Sequence, residues 1–149
     1  YPRAAIGSGV LEALVAHDEP SARLLKLVRV TASVTANCAF CVDMNSFAHD
    51  RAGLTDAELA AITGGDVGAV GSFDHRERLA IEYARLVSST PLRFPEALQA
   101  ELRAAFSERE LVILATTAAQ VNYWARVIQA LGIPPAARTR ATCAATTCA

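Results

Sequence analysis

The sequence has few charged residues, few aromatic residues and no apolar run long enough to cross a membrane. Charged residues make up 19% of the chain and aromatic residues 6%, whereas a typical soluble domain has about 25% charged residues. The longest apolar stretch, residues 111–121, contains two threonines and a glutamine and is shorter than the ~20 residues that a transmembrane helix needs. We therefore expect no membrane span.

Basic residues are too few and too scattered to indicate nucleic-acid binding. The chain has 14 Lys and Arg against 15 Asp and Glu, which gives a net charge of −1, and no basic stripe is present. Its first residues also contain no basic segment followed by an apolar one, which is the pattern of a secretory signal. The sequence thus predicts a cytoplasmic protein that binds neither nucleic acid nor membrane.

Cysteines are scarce and unevenly placed. Two of the four, Cys38 and Cys41, are three residues apart, and the other two, Cys143 and Cys148, lie in an Ala/Thr-rich tail. This pattern does not fit the disulfide scaffold of a small secreted protein. In a reducing compartment, a CxxC pair instead indicates redox catalysis or metal binding.

Apolar residues are abundant, at 52% of the 149 residues, with a mean hydropathy of +0.26. The length suits one domain over residues 1–149, with a core over residues 20–135 and a flexible tail over residues 136–149. A single helical domain of this size cannot cover so much apolar surface by itself. We therefore expect a homo-oligomer, either a trimer or a hexamer.

Helix start and stop signals are dense, and the alternation typical of strands is nearly absent. The signals include two Ser/Thr capping boxes, a similar Asp74-to-Glu77 start and terminal Gly and Pro residues. They predict an all-α, multi-helix fold. The first expected helix begins after Ser21 and ends at Val34. The others run from Asn37 to Gly53, from Thr55 to Gly64, from Asp74 to Pro91, from Pro95 to Ala105, and from Ser107 to Leu131.

The CxxC pair is expected near the start of the second of these helices, with Asn37 as its N-cap. Helical spacing would place Cys38, Cys41 and Asn45 on one face, so that the two sulfurs can meet. Free amide groups at a helix N-terminus favour the reactive thiolate. Redox chemistry is the leading interpretation, and two buried apolar side chains without chemistry are the alternative.

Zinc is a third interpretation of the cysteine pair, because CxxC supplies half of a four-ligand site. The other half is missing from the sequence pattern. Cys143 and Cys148 are five residues apart in the expected flexible tail, and His49 and His75 show no paired ligand spacing. We therefore expect no metal and no cofactor.

Residues 24–135 resemble the carboxymuconolactone decarboxylase family, and the CxxC pair resembles that of its alkyl hydroperoxidase D-like branch. The matching stretches are "LLKLVRVTASVTANCAFCVDMNSFAHDRAGLTDAEL", "HRERLAIEYARLVSSTP" and "FSERELVILATTAAQVNYWARVIQALGIPP". The resemblance implies an all-helical oligomer that reduces hydroperoxides through a Cys38–Cys41 disulfide. Cys41 would be the attacking thiol and Cys38 the resolving one, and a dithiol such as a lipoyl group would regenerate both.

Two positions depart from that branch, which usually has a glutamate twelve residues before the first cysteine and a histidine four after the second. Lys26 and Asn45 stand there instead, and neither serves as the usual base near neutral pH. We therefore expect weak peroxidase activity, with Lys26, Asn45 and His49 as possible modulators. The alternative is a non-catalytic oligomeric scaffold or a small-molecule-binding member of the family.

The remaining residues near the motif receive structural interpretations. Asp43 is expected to be a solvated or capping carboxylate, and His49 an ordinary histidine on a helix surface. Phe40 and Phe47 are expected to pack around the CxxC turn, and Trp124 to lie in the core or in a subunit interface.

Overall fold

The computed structural model describes residues 2–15 and 19–136, and within these ranges the chain is all-α and contains no β-strand. The predicted fold class is confirmed. Residues 137–149 lie outside the described residues, as do Cys143, Cys148 and most of the predicted flexible tail. The helices are α1 (Pro2–Val15), α2 (Ala22–Thr35), α3 (Ala39–Ser46), α4 (Asp56–Gly64), α5 (His75–Ser88), α6 (Glu96–Ala105) and α7 (Glu108–Ala130), with 3-10 turns at Asp50–Ala52 and Val67–Ala69.

Helix α2 lies at the centre of the fold and packs against α3, α4, α5 and α7. Its apolar residues recur at three-and-four spacing, so most of its circumference is buried. Leu27, Val28 and Val30 are completely inaccessible to solvent. Truncating a core leucine such as Leu27 to alanine typically costs ~2–5 kcal/mol. The fixed position of α2 makes both of its ends suitable for supporting a site.

Three of the predicted helix starts are confirmed by complete capping boxes. Thr55 and Glu58 open α4, Asp74 and Glu77 open α5, and Ser107 and Glu110 open α7. In each, the cap side chain accepts a hydrogen bond from the third helical N–H, and the glutamate accepts one from the cap N–H. These local signals identified the starts of the helices correctly.

The predicted helix from Asn37 to Gly53 is wrong in its start and its length. Asn37 has φ of 50°, in the left-handed region that Asn tolerates, and its N–H bonds to the carbonyl of Val34. The N–H of Cys38 then bonds to the carbonyl of Ser33, which completes a typical helix C-terminal motif. Asn37 therefore ends α2 and does not cap α3. The N-cap of α3 is Cys38, and the helix stops at Ser46.

Helix α1 was not predicted, because its apolar residues do not form a clear stripe toward a core. Ile6, Val10 and Leu14 are all more than half exposed. The helix lies along α7 and is joined to it by polar contacts. Within the described part of the chain, no helix combines the length and apolar character needed to span a bilayer.

Candidate redox site

Cys38 and Cys41 form a disulfide at the start of α3, with their Cα atoms 5.2 Å apart, within the usual range for disulfides. The prediction that the two sulfurs can meet is confirmed. Cys38 is the N-cap, and its Sγ accepts a hydrogen bond from the Cys41 N–H over 3.2 Å. A backbone amide at a helix N-terminus thus points directly at one of the two sulfurs.

The disulfide is buried in a small apolar cluster that is separate from the main core. Cys38 is 1% exposed and Cys41 3% exposed, so a reagent in solution reaches neither sulfur in this conformation. Three buried residues complete the cluster, and two half-buried aromatic side chains pack against it. The buried residues are Ala36, Ala125 and Ile128, and the aromatic ones are Phe40 and Trp124.

The Asn45 side chain is tied to α2. Its Nδ2 donates to Ser33 Oγ over 2.9 Å, and Ser33 Oγ donates to the carbonyl of Arg29 over 2.7 Å. This chain of hydrogen bonds ends at a backbone acceptor and contains no titratable side chain. Asn45 therefore holds α3 against α2 and supplies no base to the thiols.

The Lys26 ammonium caps the C-terminal end of α3. Its Nζ donates to the carbonyls of Asn45 and Phe47, over 3.0 and 2.9 Å. Burial lowers the pKa of Lys26, and the nearby Arg29 charge lowers it further. The contacts of Lys26 are at the opposite end of α3 from the disulfide. They favour a structural interpretation of this residue.

His49 is not on an α-helix, contrary to prediction; it precedes the 3-10 turn at Asp50–Ala52. Its Nε2 lies 2.8 Å from Asp56 Oδ1, and its Nδ1 lies 3.2 Å from the carbonyl of Ser46. The ring therefore links the end of α3 to the first turn of α4. Both ring nitrogens are engaged there.

Two further expectations for α3 are wrong. Asp43 was expected to be a solvated or capping carboxylate, and it is not solvated, because it is completely buried where the short α3 packs against both α2 and α7. Phe47 was expected to pack around the CxxC turn, but it is 48% exposed at the end of the helix. Phe40 does pack against the disulfide cluster, as predicted.

A buried charge cluster at the opposite end of α2 was missed by the sequence analysis. Arg23 binds Glu58 (Nη2 to Oε1, 2.7 Å) and Glu77 (Nε to Oε1, 2.6 Å), and its Nη1 also donates to the carbonyl of Gly53. Hydrogen bonds from Arg23, and a further one from Ser72, hold the pKa of Glu58 well below its usual range. The two glutamates were recognised as helix-capping residues, but nothing local in the sequence connects them to Arg23.

A shallow cavity of about 310 Å³ lies between α5, α6 and α7, and its lining includes Tyr83, Phe94 and Leu111. Leu111 and Ala125 are separated by fourteen residues on α7, which corresponds to ~21 Å along the helix axis. The cavity is therefore remote from the disulfide cluster.

The described residues contain no group of three or more His, Cys, Asp or Glu side chains arranged to hold a metal ion. Cys143 and Cys148 lie outside these residues, so the expectation of a metal-free protein stays a prediction.

No sequence profile of a known protein family matches the chain. Two curated proteins are similar to it. The uncharacterized protein YnjA of Escherichia coli K12 is 37% identical over 98 residues, which are 65% of this chain and 52% of YnjA. The uncharacterized protein YdfG of Bacillus subtilis 168 is 25% identical over 108 residues, 72% of each. The chain thus spans about half the length of YnjA.

Solved structures with this fold include a protein of unknown function from Agrobacterium tumefaciens that has been suggested to be the antioxidant defence protein AhpD. It has a TM-score of 0.82 and 24% identity, over 91% of this chain and 92% of its own. The debrominase Bmp8 in complex with 2,3,4-tribromopyrrole has a TM-score of 0.81 and 21% identity, over 96% and 76%. The fold is therefore the AhpD-like all-α fold.

Proposed function

We propose that this protein is a thiol-dependent redox enzyme that reduces hydroperoxides through Cys38 and Cys41, with low turnover. The observation that carries the proposal is the disulfide at the start of α3 in an AhpD-like fold. The proposal places the protein in the alkyl hydroperoxidase D-like branch, as a cytoplasmic trimer or hexamer without a cofactor.

The reaction balances with a hydroperoxide as oxidant and a dithiol as reductant. The Cys41 thiolate attacks the peroxide, the O–O bond breaks, and an alcohol and a Cys41 sulfenic acid form. The Cys38 thiolate then attacks the Cys41 sulfur, which releases water and closes the disulfide. A dithiol, of which a lipoyl group is one example, reduces this disulfide through a mixed disulfide and becomes oxidised itself.

The hydrogen bond between Cys41 N–H and Cys38 Sγ supports the role of Cys38 as the resolving and leaving thiol. It favours negative charge on the Cys38 sulfur, since an amide at a helix N-terminus stabilises a thiolate. When a dithiol attacks the Cys41 sulfur, Cys38 is then the better leaving group. The same thiolate is ready to resolve the sulfenic acid in the oxidative half of the cycle.

Low turnover follows from the contacts of Asn45 and Lys26, which stand where the branch usually has a histidine and a glutamate that pass protons to and from the thiols. Asn45 donates to Ser33, and Lys26 binds the carbonyl groups at the end of α3. Neither side chain is available to exchange a proton with the thiols. General acid–base assistance typically raises a rate ~10²–10⁴-fold. We expect turnover to be lower, by a factor in this range, than that of an enzyme with the usual glutamate and histidine.

The surroundings of the disulfide favour organic hydroperoxides over hydrogen peroxide. The cluster consists of alanine, isoleucine and cysteine with Phe40 and Trp124 at its margin, so an alkyl or aryl group is accommodated without loss of hydrogen bonds.

A second candidate function is binding of a small apolar molecule by an oligomeric scaffold that has lost catalysis. Bmp8, which shares the fold, has been captured with a tribrominated pyrrole. The contacts of Lys26 and Asn45, which engage both side chains away from the thiols, also fit this function. It predicts ligand binding that is unaffected when Cys38 and Cys41 are replaced.

The test measures consumption of cumene hydroperoxide with dihydrolipoamide as reductant. The Cys143→Ser/Cys148→Ser variant serves as the reference, because it removes the two other thiols from the background. Adding Cys41→Ser to this reference should abolish turnover. If the reference protein neither consumes hydroperoxide nor re-forms the Cys38–Cys41 disulfide after reduction and mild oxidation, the redox function is wrong and the binding function replaces it.

A further inference from the structure

Trp124 is the single tryptophan of the chain, and it packs against the cluster that contains the disulfide. Its indole is half-buried. The ring therefore has one part against the cluster and one part at the surface. At the surface, its Nε1 donates a hydrogen bond to Glu12 Oε2 of α1 over 3.1 Å.

Glu12 has a second partner on the same face of α7. Gln120, one turn before Trp124, also donates to Glu12 Oε2, and Gln120 itself is only 8% exposed. One turn earlier on α1, the hydroxyl of Ser8 lies 2.9 Å from that of Tyr123. These polar contacts fix α1 over the part of α7 that covers the disulfide.

A redox cycle requires a reductant to reach a sulfur, but the two cysteines are 1% and 3% exposed. Most of the cluster cannot move aside, because Ala36 ends α2, while Ala125 and Ile128 are buried residues within α7. Phe40 and Trp124 are the two half-buried side chains at its margin, and Phe40 has no polar group, whereas Trp124 is tied through its Nε1–H to the exposed carboxylate of Glu12. A rotation of Trp124 would open this margin while the helices stay in place.

We infer that Trp124 is the residue that controls access to the Cys38–Cys41 disulfide and that Glu12 positions it. The inference rests on the proposed redox function. In the resting position, the indole closes this side of the disulfide cluster. A small displacement of the ring admits a compact reagent, whereas a bulky one requires the ring to move fully aside. Trp124 is thus a specificity-determining residue that selects reductants and hydroperoxides by their size, and Glu12 acts only through it.

The test compares how fast two dithiols reduce the disulfide of the full chain: dithiothreitol, which is compact, and a short peptide carrying a dihydrolipoyl group, which is bulky. Glu12→Ala removes the acceptor of the hydrogen bonds from both Trp124 and Gln120. Glu101→Ala is the matched control, since Glu101 is an exposed glutamate on α6. We expect Glu12→Ala to speed reduction by the peptide about fivefold, equivalent to one net hydrogen bond.

Under the same conditions, the rate with dithiothreitol should change less than about twofold, so the ratio of the two rates separates access from a general loosening of the fold. Trp124→Ala should raise the rate with the peptide further than Glu12→Ala does. Trp124 fluorescence supplies an independent signal, because a disulfide quenches a nearby indole. It should increase on reduction, and before reduction Glu12→Ala should already shift its emission to the red.

The possible results distinguish the inferred control of access by Trp124 from the proposed redox function on which it rests. Equal rate ratios in the parent, Glu12→Ala and Glu101→Ala overturn the role of Trp124 and Glu12, while the redox function stands. A disulfide that resists both dithiols, in the parent and in Trp124→Ala alike, overturns both. A higher ratio of the peptide rate to the dithiothreitol rate in both Glu12→Ala and Trp124→Ala than in the parent and Glu101→Ala, with the red shift in Glu12→Ala, supports the inference.

Discussion

The two ends of α2 support regions of opposite character. At its start, Arg23 joins Glu58 and Glu77 in a buried cluster of charges. At its end, Ala36 leads through the left-handed Asn37 to an apolar cluster around the Cys38–Cys41 disulfide. One end is rich in titratable groups, and the other has a disulfide with apolar neighbours.

The comparison shows that two strongly shifted pKa values, those of Arg23 and Glu58, belong to the end of α2 that lies away from the disulfide. Perturbed pKa values often mark functional sites, but structural ion-pair networks perturb them as well. Glu58 and Glu77 each cap a helix and bind Arg23, so their charges connect α2, α4 and α5. The disulfide end instead consists of two cysteines among apolar neighbours.

The largest effect expected is on activity at the disulfide end. Cys41→Ser and Cys38→Ser should each reduce hydroperoxide turnover at least ~10²-fold, because both sulfurs take part in the cycle. Stability should fall by less than about 2 kcal/mol, since the disulfide closes a very short loop. Coupled turnover assays and urea denaturation measure the two quantities. A variant that keeps full turnover would contradict the proposed cycle.

At the Arg23 end of α2, substitution is expected to lower stability and to leave activity unchanged. Arg23→Ala leaves two buried carboxylates without their cation and should cost about 2–4 kcal/mol of unfolding free energy, below the full cost of a broken buried pair because Arg23 is partly exposed. Turnover per folded molecule should not change. Arg103→Ala, at an exposed position of α6, is the control and should cost less than about 0.5 kcal/mol.

The stability contribution of Glu58 should depend on pH. Its pKa in the folded protein is lowered, first by the hydrogen bond from Arg23, so its contribution is complete above the unfolded value of about 4.3 and is lost as pH falls below it. Glu58→Gln should therefore be clearly less stable than the parent at pH 7, and the difference should shrink as pH falls from about 4 to about 2. A stability difference that is constant between those pH values would refute this assignment.

The smallest effect expected is a gain in hydroperoxide turnover from a substitution at the disulfide end of α2. Asn45 is one helical turn beyond Cys41, so Asn45→His should raise hydroperoxide turnover about tenfold by supplying a base, although it removes the bond to Ser33. Asn45→Gln is the control for loss of that bond. Turnover no higher in Asn45→His than in Asn45→Gln would show that the missing base does not limit the rate.

The sequence alone suggests adding Lys26→Glu to this variant, to orient the new imidazole. The structure reverses that expectation, because Lys26 binds two carbonyl groups at the end of α3. A carboxylate there would face those oxygens and the negative end of the helix dipole. The double variant should thus be less stable than Asn45→His alone, as thermal unfolding would show.

Much of the fold was predictable because its signals are local. A capping box joins residues three positions apart, as in Thr55 and Glu58, and the CxxC pair likewise closes within one turn of chain. The three-and-four spacing of apolar residues identified α2 in the same way. Such features depend on short-range geometry that almost any tertiary context preserves.

The sequence by itself determined five of the helices (α2, α4, α5, α6 and α7), three capping boxes and the pairing of two thiols, while the tertiary structure decided what surrounds them. Arg23 meets residues 35 and 54 positions away, and Trp124 meets Glu12 across 112 positions; no local pattern encodes these distances. Asn37 had two locally acceptable roles, and the packing of α2 against α3 selected the left-handed one. Burial of Asp43 has the same origin, since only the packed helices determine which face of a short helix meets solvent.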